Sequence, residues 1–215
     1  MSELIETYAV ENGSRSGSIL CVEIQKKYFA SEQILGKIEF VLSPDESIAI
    51  VGPSGIGKST LLRLISGLDT DFDGEISKPG NFSLVFQEPT LFPWITCLQN
   101  LVEACNISEE QALNWLRRVE LLKCADLFPD QMSLGQQRRL SLARAFANSP
   151  ELLLLDEAFV SLDPKIYGEM IRLFKSLRSE TKVATLMITH DLAEAHDLAE
   201  HVYTLAGSPA QLSKI

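Results

Sequence analysis

The chain has no apolar run approaching the roughly 20 residues that a membrane-spanning helix needs, no closely paired cysteines and no excess of positive charge. Each absence removes a class of function. Without such a run, any role at a bilayer has to borrow its spanning segments from another protein. The start, Met1-Ser2-Glu3-Leu4-Ile5-Glu6, is acidic and lacks the apolar core of a secretory signal. Cys21, Cys97, Cys105 and Cys124 are scattered, with no C-x-x-C spacing, which favours reduced thiols in the cytosol over disulfides or a zinc site. With 29 acidic against 19 basic residues, the net charge is −10, which argues against wrapping nucleic acid, because that needs a basic face. A local basic patch stays open. There is no internal repeat and no low-complexity tract. What remains is a chain of 215 residues, 46% hydrophobic and 22% charged, the balance of an ordinary globular protein able to bury a core.

Against those absences one octapeptide stands out. Gly52-Pro53-Ser54-Gly55-Ile56-Gly57-Lys58-Ser59 is a complete G-x-x-x-x-G-K-[ST] loop. An apolar run, Ile48 to Val51, precedes it, and a helical pattern, Thr60 to Ile65, follows it. Its glycines let the backbone wrap closely around a polyphosphate with N–H groups pointing inward. The helix start adds its positive dipole end. Lys58 is expected to reach the β- and γ-phosphates, and the Ser59 hydroxyl to ligate Mg²⁺. A chance Gly-rich turn would lack this strand–loop–helix setting.

Along the chain, residues 1–17 read as a flexible leader. Strands are expected at about 18–24, 38–42, 48–51 and 83–86, with Gln87 following the last. From about 91 to 148 the pattern turns helical, with candidates at 98–104, 108–122 and 133–148, and reads as a small helical subdomain. Ser108-x-x-Gln111 and Ser133-x-x-Gln136 have capping-box spacing. Leu152–Leu155 reads as a buried strand. Asp163-Pro164 opens another helix, a strand follows at 183–188, a helix starts at Asp191, and a last short strand covers 202–205. Past it only ten residues remain, Ala206 to Ile215, too few for a regulatory domain. Alternating strands and helices predict an α/β fold with a mostly parallel central sheet.

Hydrolysis of a nucleotide asks for more than a cradle. A carboxylate must organise Mg²⁺, and a second group must position or deprotonate the attacking water. Asp156 and Glu157, closing the leucine strand, are the candidates for those two roles. His190 and Gln87 each follow a strand, and ligands of open α/β sheets bind beyond those ends. His190 can bond a terminal phosphate and sense its loss. His196 and His201 have no such setting and read as surface residues.

In this order, the phosphate loop, Gln87, Met132-Ser133-Leu134-Gly135-Gln136, Asp156-Glu157, Ser161-Leu162-Asp163 and His190 resemble the nucleotide-binding subunits of ABC transporters, across roughly 18–205. The resemblance implies a P-loop NTPase fold with an antiparallel N-terminal β part, binding ATP and Mg²⁺. Catalysis would involve Glu157, His190, Lys58 and Gln87. Metal would be held by Ser59, Gln87 and Asp156. The nucleotide would touch Tyr28, residues 52–60 (Gly52, Pro53, Ser54, Gly55, Ile56, Gly57, Lys58, Ser59 and Thr60) and, from a second copy, Ser133, Gly135 and Gln136, with Asp163 at the dimer seam. Tyr28 either stacks on adenine, a contact of about 1–3 kcal/mol if base-stacking values transfer, or covers the core at a strand end. Further implied are a homodimer, a transmembrane permease, indirectly a solute-binding protein, no nucleic acid, and a peripheral place at the cytoplasmic face of the cell membrane. Leu91-Phe92-Pro93-Trp94 either packs in the helical part or docks on the permease through Phe92 and Trp94. The segment Glu88–Trp94 and the Ser-Leu-Gly variant resemble the branch importing nitrate, sulfonates, taurine or thiamine-precursor pyrimidines. Leu134 departs from the family's usual glycine. As the first residue of a helix it adopts its backbone without strain, so hydrolysis is expected to be retained. Two alternatives are a nucleotide-gated module with weak hydrolysis and a non-transport ABC ATPase.

Overall fold

The computed structural model describes residues 17–215; the leader expected over residues 1–17 lies almost wholly outside them. The first strands build an antiparallel part: β1 (Leu20–Phe29) pairs antiparallel with β2 (Glu32–Leu35), β3 (Ile38–Leu42) and β5 (Asp73–Ser77). The remaining strands are β4 (Ser47–Val51), β6 (Phe82–Val85), β7 (Leu152–Asp156), β8 (Ala184–Thr189), β9 (His201–Gly207) and β10 (Ala210–Lys214). The sheet order runs β3-β1-β2-β10-β9-β4-β8-β7-β6. Within it, the pairs β9–β4, β4–β8, β8–β7 and β7–β6 are all parallel.

Helix α1 (Lys58–Ser66) follows the phosphate loop, and α2 (Cys97–Cys105), α3 (Glu109–Arg118) and α4 (Leu134–Ala147) come between β6 and β7. Helix α5 (Pro164–Thr181) then leads to β8, and α6 (Leu192–Leu198) to β9. Three helix starts obey the same local rule. Thr96, Ser108 and Ser133 cap α2, α3 and α4, each accepting a hydrogen bond from the backbone N–H of a glutamine three residues on. Each glutamine returns the bond to the cap's own N–H, so orphan donors at the first turn are satisfied in pairs. Asp163 caps α5 by accepting from Lys165 and Ile166 N–H, with Pro164 at the first helical position.

The strands of the parallel part are apolar on both faces because both faces are covered. In β7, Leu152 and Leu154 face one cluster, with Ile48, Ile50, Leu186 and Ile188, packed under α1 and the antiparallel strands. Leu153 and Leu155 face the other, with Ala49, Val51 and Met187, packed under α4 and α5 through Leu140, Phe146 and Phe174. All four leucines of the run are fully buried.

Three strands escape the sequence reading: β2, β5 and β10. The expectation of a final strand over 202–205 followed by a bare tail is corrected, since β9 turns at Gly207, in the left-handed region at φ 95°, and β10 returns along it. Their pattern is weak: β5 is almost wholly exposed and β10 buries only Ala210 among its well-defined inward positions. The first strand also runs farther than expected, through Phe29. No disulfide joins the four cysteines.

Leu154→Ala is expected to cost about 2–5 kcal/mol, the loss of a buried leucine plus an incompletely closed cavity. Urea unfolding should show a lowered midpoint at unchanged slope.

Candidate functional site

Parallel register brings the chemistry together. Ile50 lies opposite Ile188, and Ile188 opposite Asp156; Val85 lies opposite Leu155. The strands therefore end side by side, and the residues just past them share one edge: Gly52 after β4, His190 after β8, Glu157 after β7, and Gln87 two residues past β6. The ladder extends into this edge, where Glu157 N–H donates to the Ile188 carbonyl at 2.9 Å.

The loop has two positive-φ glycines, Gly55 at 81° and Gly57 at 109°. Gly52 is needed for a different reason: a Cβ there would sit 2.6 Å from the Leu205 carbonyl oxygen. Lys58 is buried, its ammonium donating to the carbonyls of Gly52 at 2.9 Å and Pro53 at 3.1 Å. It also lies 3.5 Å from Glu157 Oε1. On the far side, Glu157 Oε2 is 3.2 Å from His190 Nδ1. Lysine, glutamate and histidine thus form a continuous chain around the mouth of the loop. Glu157 is held there at φ 49°, a left-handed conformation that a non-glycine residue keeps only where its surroundings enforce it.

Ser59 Oγ donates to Asp156 Oδ1 at 3.3 Å. Burial pushes the Asp156 carboxyl above its usual range, the Ser59 hydroxyl pulls it back, and the nearby Glu157 charge pushes it up again. A cavity of about 430 Å³ opens over this pair, walled by Ser59, Gln87, Asp156 and Glu157. These are hard oxygen donors, one hydroxyl, one amide and two carboxylates, around an open space. That donor set fits Mg²⁺, which takes few protein ligands and fills its octahedron from substrate and solvent.

A second cleft, also about 430 Å³, runs from the loop to the end of β1; Ser54, Gly55, Gly57, Lys58, Ser59 and Thr60 form its phosphate end. Its other wall holds Lys27, Phe29, Ile34, Arg63 and Asp69, none of which the sequence reading named. Phe29 is 76% exposed. Tyr28 is not on this wall; it too is exposed, and its hydroxyl donates to Gln33 at 3.5 Å. The ladder with β2 shifts between Lys27 and Tyr28. Simple alternation from Leu20, Val22 and Ile24 would bury Lys26, yet Lys27 is the buried one, ion-paired to Asp69 at 2.9 Å. That hydrogen bond raises the Lys27 pKa and lowers that of Asp69.

Ser133, Gly135, Gln136 and Asp163 line neither cavity. Ser133 and Leu134 are exposed at the start of α4, with Leu134 as its first residue. Gly135 is buried beside α5, where an added Cβ would meet Ile166 at an ordinary 3.5 Å, so nothing among the described residues demands glycine there. Gln136 also donates to the Cys124 sulfur. Of the other histidines, His196 is exposed, while His201 is half-buried and bonded to Glu46 at 2.8 Å. In the apolar segment after Gln87, Leu91 packs on the core, Phe92 is half-buried and stacks on Trp94 at 5.5 Å, and Trp94 is 71% exposed.

The family model described as ABC transporter matches residues 35–160. An aliphatic sulfonates import ATP-binding protein of Pseudomonas aeruginosa is 36% identical, covering 93% of this chain and 86% of that protein. Proteins of the same name from Granulibacter bethesdensis, 42% identical over 82% of this chain and 75% of theirs, and from Bacillus cereus, 32% identical over 88% and 82%, are also similar. Among solved structures, CbiO1 of Clostridium perfringens, part of the ABC transporter complex CbiONQ, shares the fold with a TM-score of 0.80 at 24% identity, covering 92% of this chain and 88% of that one. Loop, strand-end carboxylates, histidine and helix cap thus coincide with family membership: the chain belongs to the ABC transporter family, as an ATP-binding subunit and ATP hydrolase.

Proposed function

We propose that two copies of this chain close head to tail over two ATP molecules and, through a separate permease at the cytoplasmic face of the cell membrane, drive import of an aliphatic sulfonate passed on by a solute-binding protein. One observation carries the dimer. The chain has a phosphate cradle around Lys58 and, apart from it, an exposed helix start at Ser133 followed by a glycine that its own packing does not require. A second copy supplies the natural use for both. Its Ser133 hydroxyl, Gly135 backbone and helix dipole would meet the γ-phosphate on the first copy's Lys58, with Gln136 holding the turn and Asp163 at the seam. A two-fold pair makes both half-sites complete.

Within each site, backbone N–H groups of residues 54–60 cradle the phosphates, and Lys58 exchanges its loop carbonyls for β- and γ-phosphate oxygens. An aromatic at the end of β1, Tyr28 or its neighbour Phe29, would cover the adenine. Ser59, Asp156 and Gln87 would hold Mg²⁺, which when bound neutralises charge on the β- and γ-phosphate oxygens. Glu157 orients the attacking water and takes its proton. His190, bonded to Glu157 through Nδ1, keeps its other ring nitrogen for a terminal phosphate oxygen. Because the γ-phosphate bridges two copies, ATP binds the closed pair more tightly than the open one, and hydrolysis removes that difference. Differential affinity of this kind is the only way a ligand drives motion.

The sulfonate assignment rests on the relatives' names. The permease contact rests on Trp94, a large exposed aromatic next to the Gln87 segment.

Glu157→Gln is expected to slow hydrolysis by at least about 10²-fold while ATP still binds, and ATP should shift the variant to dimers in size exclusion with light scattering. Equal dimer populations with ATP and ADP would overturn the scheme. In cells, deleting the chain should abolish uptake of a labelled short alkanesulfonate and leave sulfate uptake intact; unchanged sulfonate uptake would refute the cargo. Trp94→Ala should weaken co-purification with the permease more than ATP binding, whereas equal loss of both would assign Trp94 to packing.

A further inference from the structure

Arg138 is a buried cation that the scheme above leaves unused. It lies one turn into α4, four residues past Leu134, and is 8% exposed. Its neighbour Arg139 pairs with Glu120 and Glu169, each at 2.7 Å. Among the described residues Arg138 has no such carboxylate. Its Nη1 donates instead to the Val160 carbonyl at 2.9 Å, and its Nε has no partner there. Burial without a counter-anion lowers its pKa from the usual arginine value. A buried charge paired only with a carbonyl is costly, and an unpaired N–H adds to the cost. An apolar side chain of similar length would serve packing better.

The position of the guanidinium explains what it can do. Val160 closes the turn that begins at Glu157, with Val160 N–H donating to the Glu157 carbonyl at 3.2 Å. Glu157, the first residue of that turn, has its φ in the left-handed region. A void of about 10 Å³, room for about one water, separates Arg138 from Phe86 and Pro89, the residues flanking Gln87-Glu88, and from Ala158 and Phe159. The helix bearing Ser133, the turn bearing Glu157 and the segment bearing Gln87 therefore line one small void, and Arg138 bonds the first to the second.

We propose that Arg138 is a positioning residue for hydrolysis: its grip on Val160 ties the start of α4 to the turn that aims Glu157. Seating of a γ-phosphate against Ser133 and orientation of the base then move together. The inference rests on the two-copy reading of the site and deepens it. Nothing in the tie touches nucleotide, so it affects turnover rather than binding.

Arg138→Met keeps the stem and removes the donors. With the purified full chain and Mg-ATP, kcat should fall about tenfold or more, KM for ATP should stay within about twofold, and the melting temperature should hold or rise. Amide hydrogen exchange should quicken in residues 157–163 and not elsewhere. Arg138→Lys, which keeps one donor, should recover most of kcat. Wild-type kcat and exchange in the Met variant would overturn the role, as would losses of kcat and KM that track the melting temperature. If the Met variant fails to fold, the Lys variant decides: kcat near wild type with unchanged exchange supports the tie, and kcat falling with the melting temperature refutes it. Wild type and Glu157→Gln run alongside report on hydrolysis itself. Absence of wild-type turnover would count against the functional reading, leaving exchange over 157–163 to judge Arg138.

Discussion

The site depends on the in-register parallel pairing of β4, β8, β7 and β6. Because side-by-side strands end at one level, four separate stretches of sequence deliver a phosphate loop, a histidine, two carboxylates and a glutamine to one edge. A slip of one residue in any pair would turn that strand's apolar set to the opposite cluster and its terminal group away from the edge. The two clusters on either face oppose such a slip. Leu152 and Leu154 pack with one, Leu153 and Leu155 with the other, so the buried leucines that stabilise the domain also set the placement of Asp156 and Glu157. Stability and the geometry of the candidate site share a cause here.

Much of this was legible in the residues. The loop, the leucine strand with its two acids, and the serine-to-glutamine spacing of the helix starts are short-range patterns, each with a local physical meaning, and each appears where expected. Ser133 and Leu134 take the cap and first helical positions that a capping box requires. Parallel α/β architecture followed from strands alternating with helices. The strands that escaped notice are those with least apolar alternation: exposed β5, and β10 with its turn at Gly207.

The nucleotide-facing wall near β1 was illegible for a different reason. A shift in the β1–β5 ladder between Ile24 and Lys26 leaves Gln25 as an extra residue in β1, so Lys27 rather than Lys26 is buried and Phe29, not Tyr28, lies on the cleft. Alternation counts residues and cannot register an inserted one. Arg138 was equally hidden. Adjacent arginines on a helix read as a solvated pair, and only the packed fold shows that one bridges two carboxylates while the other reaches a carbonyl in the interior. Glutamate 157's φ is likewise a product of its surroundings.

Glutamine, never glutamate, fills the third position of all three reciprocal caps, at Gln99, Gln111 and Gln136. Either side chain can return the bond to the cap, but an amide brings no anion. In a protein carrying ten surplus negative charges, a carboxylate at position 136 would stand, in the proposed two-copy arrangement, close to the phosphate that Ser133 would meet, and its charge would offset the helix's own field. In that arrangement, neutrality at the cap would let an acidic molecule offer a face that does not repel its most acidic ligand.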